Sequence, residues 1–253
     1  MKIKKEISKE VVFDIFVFSF LYRFALIINL LCGRDYYNVI SKIDLYYPTI
    51  NMFFVPYFVF YIHIYIVPYF IGYKKKDLLH KYTTTLVMSS IIAFIIFLFF
   101  PTYVDKSIFK NRLFILSFFD RFGNACPSFH VLVTWCIWVH FRQLEISKKI
   151  KLSVHIFTYL IVFSTVLIRQ HGLIDIPAAI VIVELVNFLT NKYSLDIKLF
   201  KIVETKYFKY LKRTFFSILI IFFILAISFF FVVQFSPECR LGIYFWKICN
   251  ILK

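Results

Sequence analysis

The sequence predicts an all-α protein, a polytopic membrane helical bundle with a six-helix core and one additional C-terminal span. Hydrophobic residues make up 61% of the 253 residues, which is more apolar surface than a soluble domain of this size needs. These residues cluster in long runs, and about 20 apolar residues are enough for a helix to cross a bilayer. Lysine and arginine are concentrated between the runs. Together these features exclude an ordinary soluble globular domain.

The apolar runs divide the chain into seven predicted spans. A basic cytoplasmic head, residues 1–10, precedes a six-span membrane domain at residues 11–190. A basic cytoplasmic loop, residues 191–214, separates that domain from residues 215–253, which form a seventh span and an extracytoplasmic tail. The spans are predicted at residues 11–31, 49–73, 83–100, 128–141, 152–169, 173–189 and 215–235.

The distribution of positive charge predicts the orientation of these spans. Of the 30 lysines and arginines, 19 fall on one side of the predicted membrane and 10 on the other. The richer side is expected to be cytoplasmic. The N-terminus is then cytoplasmic, and the spans cross a plasma membrane or an endomembrane. Membrane orientation also explains the formal net charge of +16, so the lipid bilayer is the predicted partner and nucleic acid is not.

Two histidine motifs carry the functional signal. The first reads N-A-C-P-S-F-H and ends at His130, at the start of the fourth predicted span. The second reads S-T-V-L-I-R-Q-H-G-L-I-D, from Ser164 to Asp175, and contains His171. The histidines lie 41 residues apart, which is the length of two membrane crossings joined by a short loop. We therefore expect both imidazoles at the same, extracytoplasmic face.

The residue types in these motifs point to phosphoryl transfer through a histidine nucleophile. His171 and Asp175 are four residues apart, a spacing at which the carboxylate can orient the imidazole and favour one tautomer. His171 can then attack phosphorus to form a covalent intermediate. His130 can protonate the leaving oxygen and later activate the acceptor. Ser128, at a helix start, can donate a hydrogen bond to the phosphoryl oxygens.

Phosphoryl transfer depends on positioning and on compensation of negative charge. Several basic residues near the motifs can provide that charge, and the chemistry requires no metal or other cofactor. The candidate cations are Lys106, Lys110, Arg112, Arg121 and Arg169.

These motifs resemble those of the type 2 phosphatidic acid phosphatase superfamily. That superfamily's second motif reads P-S-G-H and its third reads S-R-x5-H-x3-D. The chain looks closest to the branch that includes the inositol phosphorylceramide synthases, where the second motif tends to read N-A-x-P-S-x-H. The resemblance runs from about Asp44 to Leu189. It implies that His171 is the nucleophile, Asp175 its partner and His130 the general acid.

The resemblance also implies a set of phosphate ligands. Ser128 and Ser164 match the family's motifs, and Thr165 stands where the superfamily has arginine, as that branch often shows. The first motif departs from the family pattern, because its lysine position is occupied by Phe99 and its Arg-Pro pair reads Lys106-Ser107. Lys106 and Arg169 are the residues expected to replace the missing cations.

The predicted function is therefore cleavage of a phosphate ester or anhydride of a membrane lipid. With water as acceptor the protein would be a phosphatase, and with an alcohol a phosphotransferase. Two alternatives remain. The altered first motif favours a non-catalytic lipid-binding or carrier protein of the same fold. The second alternative is a zinc site built from Cys126, His130, His171 and Asp175. All four are residue types that bind zinc.

Overall fold

The described part of the chain folds into six α-helices. The structure is a computed structural model that describes residues 2–32, 35–109 and 123–193. The predicted seventh span and tail, Lys110, Arg112 and Arg121 lie outside the described residues. The helices are α1 (Lys2–Leu31), α2 (Phe54–Lys74), α3 (Lys76–Phe99), α4 (Phe129–Phe141), α5 (Lys148–Leu167) and α6 (Asp175–Lys192). Two short strands, β1 (Tyr37–Asn38) and β2 (Thr102–Tyr103), and three single-turn 3-10 helices lie in the links, the latter at Ile43–Leu45, Asn51–Phe53 and Lys106–Ile108.

Among the residues that the structure describes, four helical segments are long and apolar enough to cross a membrane. They are Ile7–Asn29, Asn51–Lys74, Lys76–Phe99 and Lys148–Leu167. The helix α4 is equally apolar but has only 13 residues. The predicted set of six helices is therefore confirmed in the described residues, and four of the six have membrane-spanning length and composition.

Several helices extend further than their apolar runs. The helix α1 begins at Lys2, so the charged head is helical and continuous with the first span. The helix α3 begins at Lys76 and not at residue 83. The helix α5 begins at Lys148, where the Ser147 side chain accepts a hydrogen bond from the backbone N–H of Ile150. Lysine and glutamate are good helix formers, so helices continue past the point where hydrophobicity ends.

The short helix α4 lies in the interior of the bundle. It packs against α2, α3, α5 and α6, and ten of its 13 residues are buried. A helix that is apolar on every side belongs in a protein interior. Ser128 begins the helix as its N-cap, accepting a hydrogen bond from the backbone N–H of Val131. This cap places His130 in the first turn, at one end of the bundle.

The links at that end are joined by backbone hydrogen bonds. The strands β1 and β2 pair in parallel and connect the link after α1 to the link after α3. The backbone N–H of Ala125 donates to the carbonyl of Thr102 over 3.1 Å, and that of Ile50 donates to the carbonyl of Leu167 over 2.9 Å. The two histidine motifs therefore lie at the same end of the bundle, as the span count predicts.

Gly123 is required at the turn that leads into the first histidine motif. Its φ of +102° is disfavoured for side-chain-bearing residues, and an added Cβ would lie 2.7 Å from the Tyr36 ring and 2.9 Å from Leu26. We expect Gly123→Ala to lower the free energy of unfolding by about 1–3 kcal/mol through backbone strain and crowding. Thermal unfolding in detergent measures this loss. Gly72→Ala is the comparison for crowding without a positive φ, because its added Cβ would lie 2.6 Å from Leu79 and 2.8 Å from Ile7. Equal stability of the Gly123 variant and the unaltered protein would contradict the prediction.

Candidate active site

His171 is held by two hydrogen-bond acceptors on one ring nitrogen. Its Nδ1 lies 3.0 Å from Oδ2 of Asp175 and 3.0 Å from the carbonyl oxygen of Ala125. Because both partners accept hydrogen bonds, Nδ1 carries the ring proton. Nε2 of the neutral ring then holds the lone pair that a nucleophile needs. The predicted pairing of His171 with Asp175 is present.

Hydrogen bonds also hold the backbone around His171 in place. The histidine lies in the link between α5 and α6, and Asp175 is the first residue of α6. Oδ2 of Asp175 also accepts a hydrogen bond from the backbone N–H of Gly172 over 3.0 Å. The backbone N–H of His171 donates to the carbonyl of Thr165 over 3.0 Å. Asp175 is fully buried and His171 nearly so, so the imidazole is fixed from both sides.

The His130 ring lies beside the His171 ring. The two ring centroids are 5.9 Å apart. The His130 ring packs against Tyr57 and Phe60 of α2, at centroid distances of 4.7 and 4.5 Å, and its Nε2 makes no hydrogen bond with any described residue. An attacking atom sits about 3 Å from phosphorus, and a general acid sits about 3 Å from the leaving oxygen. Because the two rings lie side by side, both can contact one phosphate ester.

Ser128 joins the two motifs. Its backbone N–H donates to the carbonyl of Asp175 over 3.4 Å, and its hydroxyl accepts the capping hydrogen bond from Val131. A hydroxyl that accepts one bond can still donate another. The position of Ser128, beside the His171 partner and at the start of α4, suits the predicted contact to a phosphoryl oxygen.

The Arg169 guanidinium contacts other residues of the protein. Its guanidinium donates to the backbone carbonyls of Asp44 and Tyr47 and to the hydroxyl of Thr49. It also stacks between the rings of Tyr47 and Phe109, at 4.0 and 4.3 Å from their centroids. The residue is 3% exposed. These contacts give Arg169 a structural role, and its predicted contact to phosphate stays a prediction.

Ser164 and Thr165 also serve their own helix. The Ser164 hydroxyl donates to the carbonyl of Ile161 over 2.6 Å, and the Thr165 hydroxyl donates to the carbonyl of Val162 over 2.7 Å. Both residues are fully buried. Their hydroxyl protons are committed to α5, which leaves the predicted phosphate contacts of these two residues without support.

Lys106 lies next to the segment that carries His171. Its ammonium donates to Oε1 of Gln170 over 3.0 Å, and Gln170 immediately precedes His171. Among the predicted cations, Lys106 is therefore one that the structure places close to His171. Arg112 and Arg121, the other predicted phosphate ligands, lie outside the described residues, so their roles stay predictions.

Comparison with known proteins does not assign the chain to a family. No protein-family model, curated protein or solved structure matches it. The resemblance to the type 2 phosphatidic acid phosphatases therefore rests on the motif residues alone.

The structure adds Asp44, a residue that the motif analysis did not select. Its fully buried carboxylate accepts hydrogen bonds from the backbone and hydroxyl of Ser41, the hydroxyl of Tyr47 and the backbone of Leu173, at 2.6–2.8 Å. Burial by itself would raise the pKa of the Asp44 carboxyl, but these hydrogen bonds outweigh it and hold that pKa below its ordinary value. The carboxylate is therefore charged at neutral pH. The Ser-x-x-Asp spacing of a capping box was the available sequence signal.

The zinc alternative gains no support from the geometry. No group of three or more His, Cys, Asp or Glu side chains is arranged to hold a metal ion within residues 2–32, 35–109 and 123–193. Burial, and then the nearby Asp175 carboxylate, raise the pKa of the Cys126 thiol to about 12. Zinc binds the thiolate form of cysteine, so this environment works against Cys126 as a ligand.

Asp175→Asn tests the expected role of Asp175 in orienting His171. We expect a loss of about 10- to 100-fold in turnover, as for other partners that orient a functional histidine, because an amide can present a donor to Nδ1 and reverse the tautomer. Initial rates with a lipid phosphate measure the loss. Asp77→Asn is the matched control, since Asp77 is exposed in the first turn of α3. Equal rates for the two variants would contradict the assigned role of Asp175.

Proposed function

We propose that this protein is an integral-membrane enzyme that transfers the phosphoryl group of a membrane lipid through a phosphohistidine at His171. One observation carries the proposal. The His171 ring is fixed with its proton on Nδ1 and lies 5.9 Å from a second imidazole, that of His130. A histidine–carboxylate pair alone is often structural. A second imidazole beside the first supports the proposal, because it can donate the proton that a leaving oxygen needs.

The proposed reaction proceeds in two displacements. Nε2 of His171 attacks phosphorus while the bond to the leaving oxygen breaks, and protonated His130 transfers its proton to that oxygen. The negative Asp175 stabilises the positive charge that develops on the His171 ring. In the second step an acceptor hydroxyl loses its proton to His130 and attacks phosphorus, which breaks the N–P bond and restores both histidines.

The membrane setting of the proposal is supported by the helices and by charge. Four helical segments within residues 2–32, 35–109 and 123–193 have membrane-spanning length and composition. The helices α2 and α3 meet at Lys74, Lys75 and Lys76, which lie at the end of these helices opposite the histidines. Because positive loops favour the cytoplasm, the site belongs on the extracytoplasmic side. A site at the ends of the helices lies at headgroup depth, where a lipid phosphate reaches it sideways.

Trapping the intermediate tests this function directly. Full-length protein in lipid nanodiscs is mixed with a radiolabelled lipid phosphate, quenched in alkali and analysed by mass spectrometry. A phosphoryl group on His171, stable in alkali and lost in acid, is the expected result. Turnover without this adduct would contradict the proposal. Product analysis then separates free phosphate, which indicates a phosphatase, from a phosphorylated alcohol, which indicates a phosphotransferase.

One observation favours the non-catalytic alternative. Arg169, expected to compensate the phosphate's charge, is engaged by carbonyl groups of the protein. A lipid-binding or carrier protein of the same fold needs less charge compensation than an enzyme. Binding of the labelled lipid with neither adduct nor turnover would favour this alternative.

A further inference from the structure

The segment that carries His171 rests against a single loop. The loop comprises residues 41–49, which we call the clamp loop. Arg169, two residues before His171, donates from its guanidinium to the backbone carbonyl of Asp44. Leu173, two residues after His171, donates from its backbone N–H to Oδ1 of Asp44 over 2.8 Å. Both flanks of the histidine are thus attached to one residue, through its carbonyl on one side and its carboxylate on the other.

The clamp loop is itself well fixed. Oδ2 of Asp44 accepts the backbone N–H and the hydroxyl of Ser41 at 2.8 and 2.6 Å, and Oδ1 accepts the Tyr47 hydroxyl at 2.8 Å. The Tyr47 carbonyl and ring both contact the Arg169 guanidinium. Arg169 has a positive φ of 63°, a conformation that these contacts hold in place. Hydrogen bonds to a charged carboxylate are roughly twice as strong as neutral ones, so Asp44 is the central residue of this arrangement.

We propose that Asp44 is a positioning residue for His171, fixing the imidazole for in-line attack by holding both flanks of its segment. This inference rests on the proposed function, since it assigns Asp44 to the phosphorylation step. Asp44 does not contact the His171 ring in this arrangement and acts through the backbone. A misplacement of about 1 Å can cost roughly 100-fold in rate. Anchoring of the backbone two residues from His171 is therefore expected to affect the rate of attack.

Asp44→Asn tests the inference. The amide keeps the shape of the side chain but cannot accept from all four donors. We expect about a 10- to 100-fold lower rate of phosphohistidine formation, with KM and the pH dependence of the rate unchanged, because Asp44 exchanges no proton with substrate. Hydrogen–deuterium exchange at the peptide containing Leu173 should rise in the same variant. Tyr47→Phe, which removes one donor to Asp44 but keeps the Leu173 contact, should have a smaller effect on both readouts.

The two readouts separate this inference from the proposed function. If unaltered protein forms no phosphohistidine, the proposed function fails, while hydrogen exchange still decides whether Asp44 anchors the segment. If unaltered protein forms phosphohistidine and Asp44→Asn forms it equally fast, the inference is overturned. Unchanged exchange at the Leu173 peptide also overturns it. Asp77→Asn, an exposed residue of α3, is the control for a charge change alone.

A second variant guards against misfolding of Asp44→Asn. Arg169→Lys keeps the positive charge but cannot reach both the Asp44 and Tyr47 carbonyls that the guanidinium contacts. It loosens the other flank of His171. The same fall in phosphohistidine formation is expected, and an unchanged rate would overturn the inference.

Discussion

Replacing His171 by asparagine is expected to abolish both phosphohistidine formation and turnover, with a loss of at least about 1,000-fold. Asparagine has no nitrogen lone pair that can attack phosphorus. Its amide N–H₂ can still donate to the buried acceptors that Nδ1 contacts, Asp175 and the carbonyl of Ala125, so the fold is expected to persist. Initial rates, paired with thermal unfolding of the same preparation, measure the two effects separately.

His155 offers a matched control for that experiment. It packs between Trp138 and Tyr159, at ring-centroid distances of 4.4 and 4.7 Å, and lies in α5 far along the helix from the site. His155→Gln should retain the activity of the unaltered protein. A folded His171→Asn protein that keeps full turnover would remove the histidine nucleophile from the mechanism.

His130→Gln is expected to lower turnover of a lipid phosphate by about 100- to 10,000-fold, the usual contribution of a general acid or base. A nitrophenyl phosphate ester distinguishes the two steps. Its leaving group departs as a stable anion and needs no proton, so the first displacement should stay fast. The second displacement still needs His130 to activate the acceptor. The variant should therefore release one nitrophenolate per enzyme in a burst and then turn over slowly, with the phosphohistidine accumulating.

The burst separates a proton-transfer role from a packing role. His130 fills space against Tyr57 and Phe60, so a purely structural loss would slow both displacements with both substrates. A burst that is slowed as much as the lipid reaction would show that His130 does not act as the proton donor. Tyr57→Phe is a useful comparison, because it preserves the aromatic packing around the imidazole.

Local sequence signals predicted the helices and part of the site. The apolar runs marked all six helices of the described residues, because burial and membrane insertion both select long stretches of hydrophobic side chains. The Pro-Ser-Phe-His stretch predicted the start of α4 at Ser128, which the structure confirms. The helix starts at Lys2 and Lys76 lie earlier in the chain than the predicted starts at residues 11 and 83. A charged residue can continue a helix as readily as it can end one.

The pairing of His171 with Asp175 was also predictable from their spacing, although the two residues do not lie in one helix. Residues four apart are neighbours on one turn of a helix. In the structure His171 lies before α6, and Asp175 begins that helix while accepting the backbone N–H of Gly172. A capping turn and a helical turn bring residues four apart to similar distances, so the spacing alone could not distinguish them.

The sequence by itself determined the helical class, the approximate positions of the six described helices and the two imidazoles at one end of the bundle, because those depend on local hydrophobic pattern and on length. Only the tertiary structure decided which polar residues face the histidines. Arg169 looked like a phosphate ligand, yet it binds carbonyls about 120 residues earlier in the chain, and Asp44 reaches Leu173 across a separation of 129 residues. A cation satisfied by protein carbonyls and one that awaits a phosphate have the same sequence signature. Packing between distant segments distinguishes them.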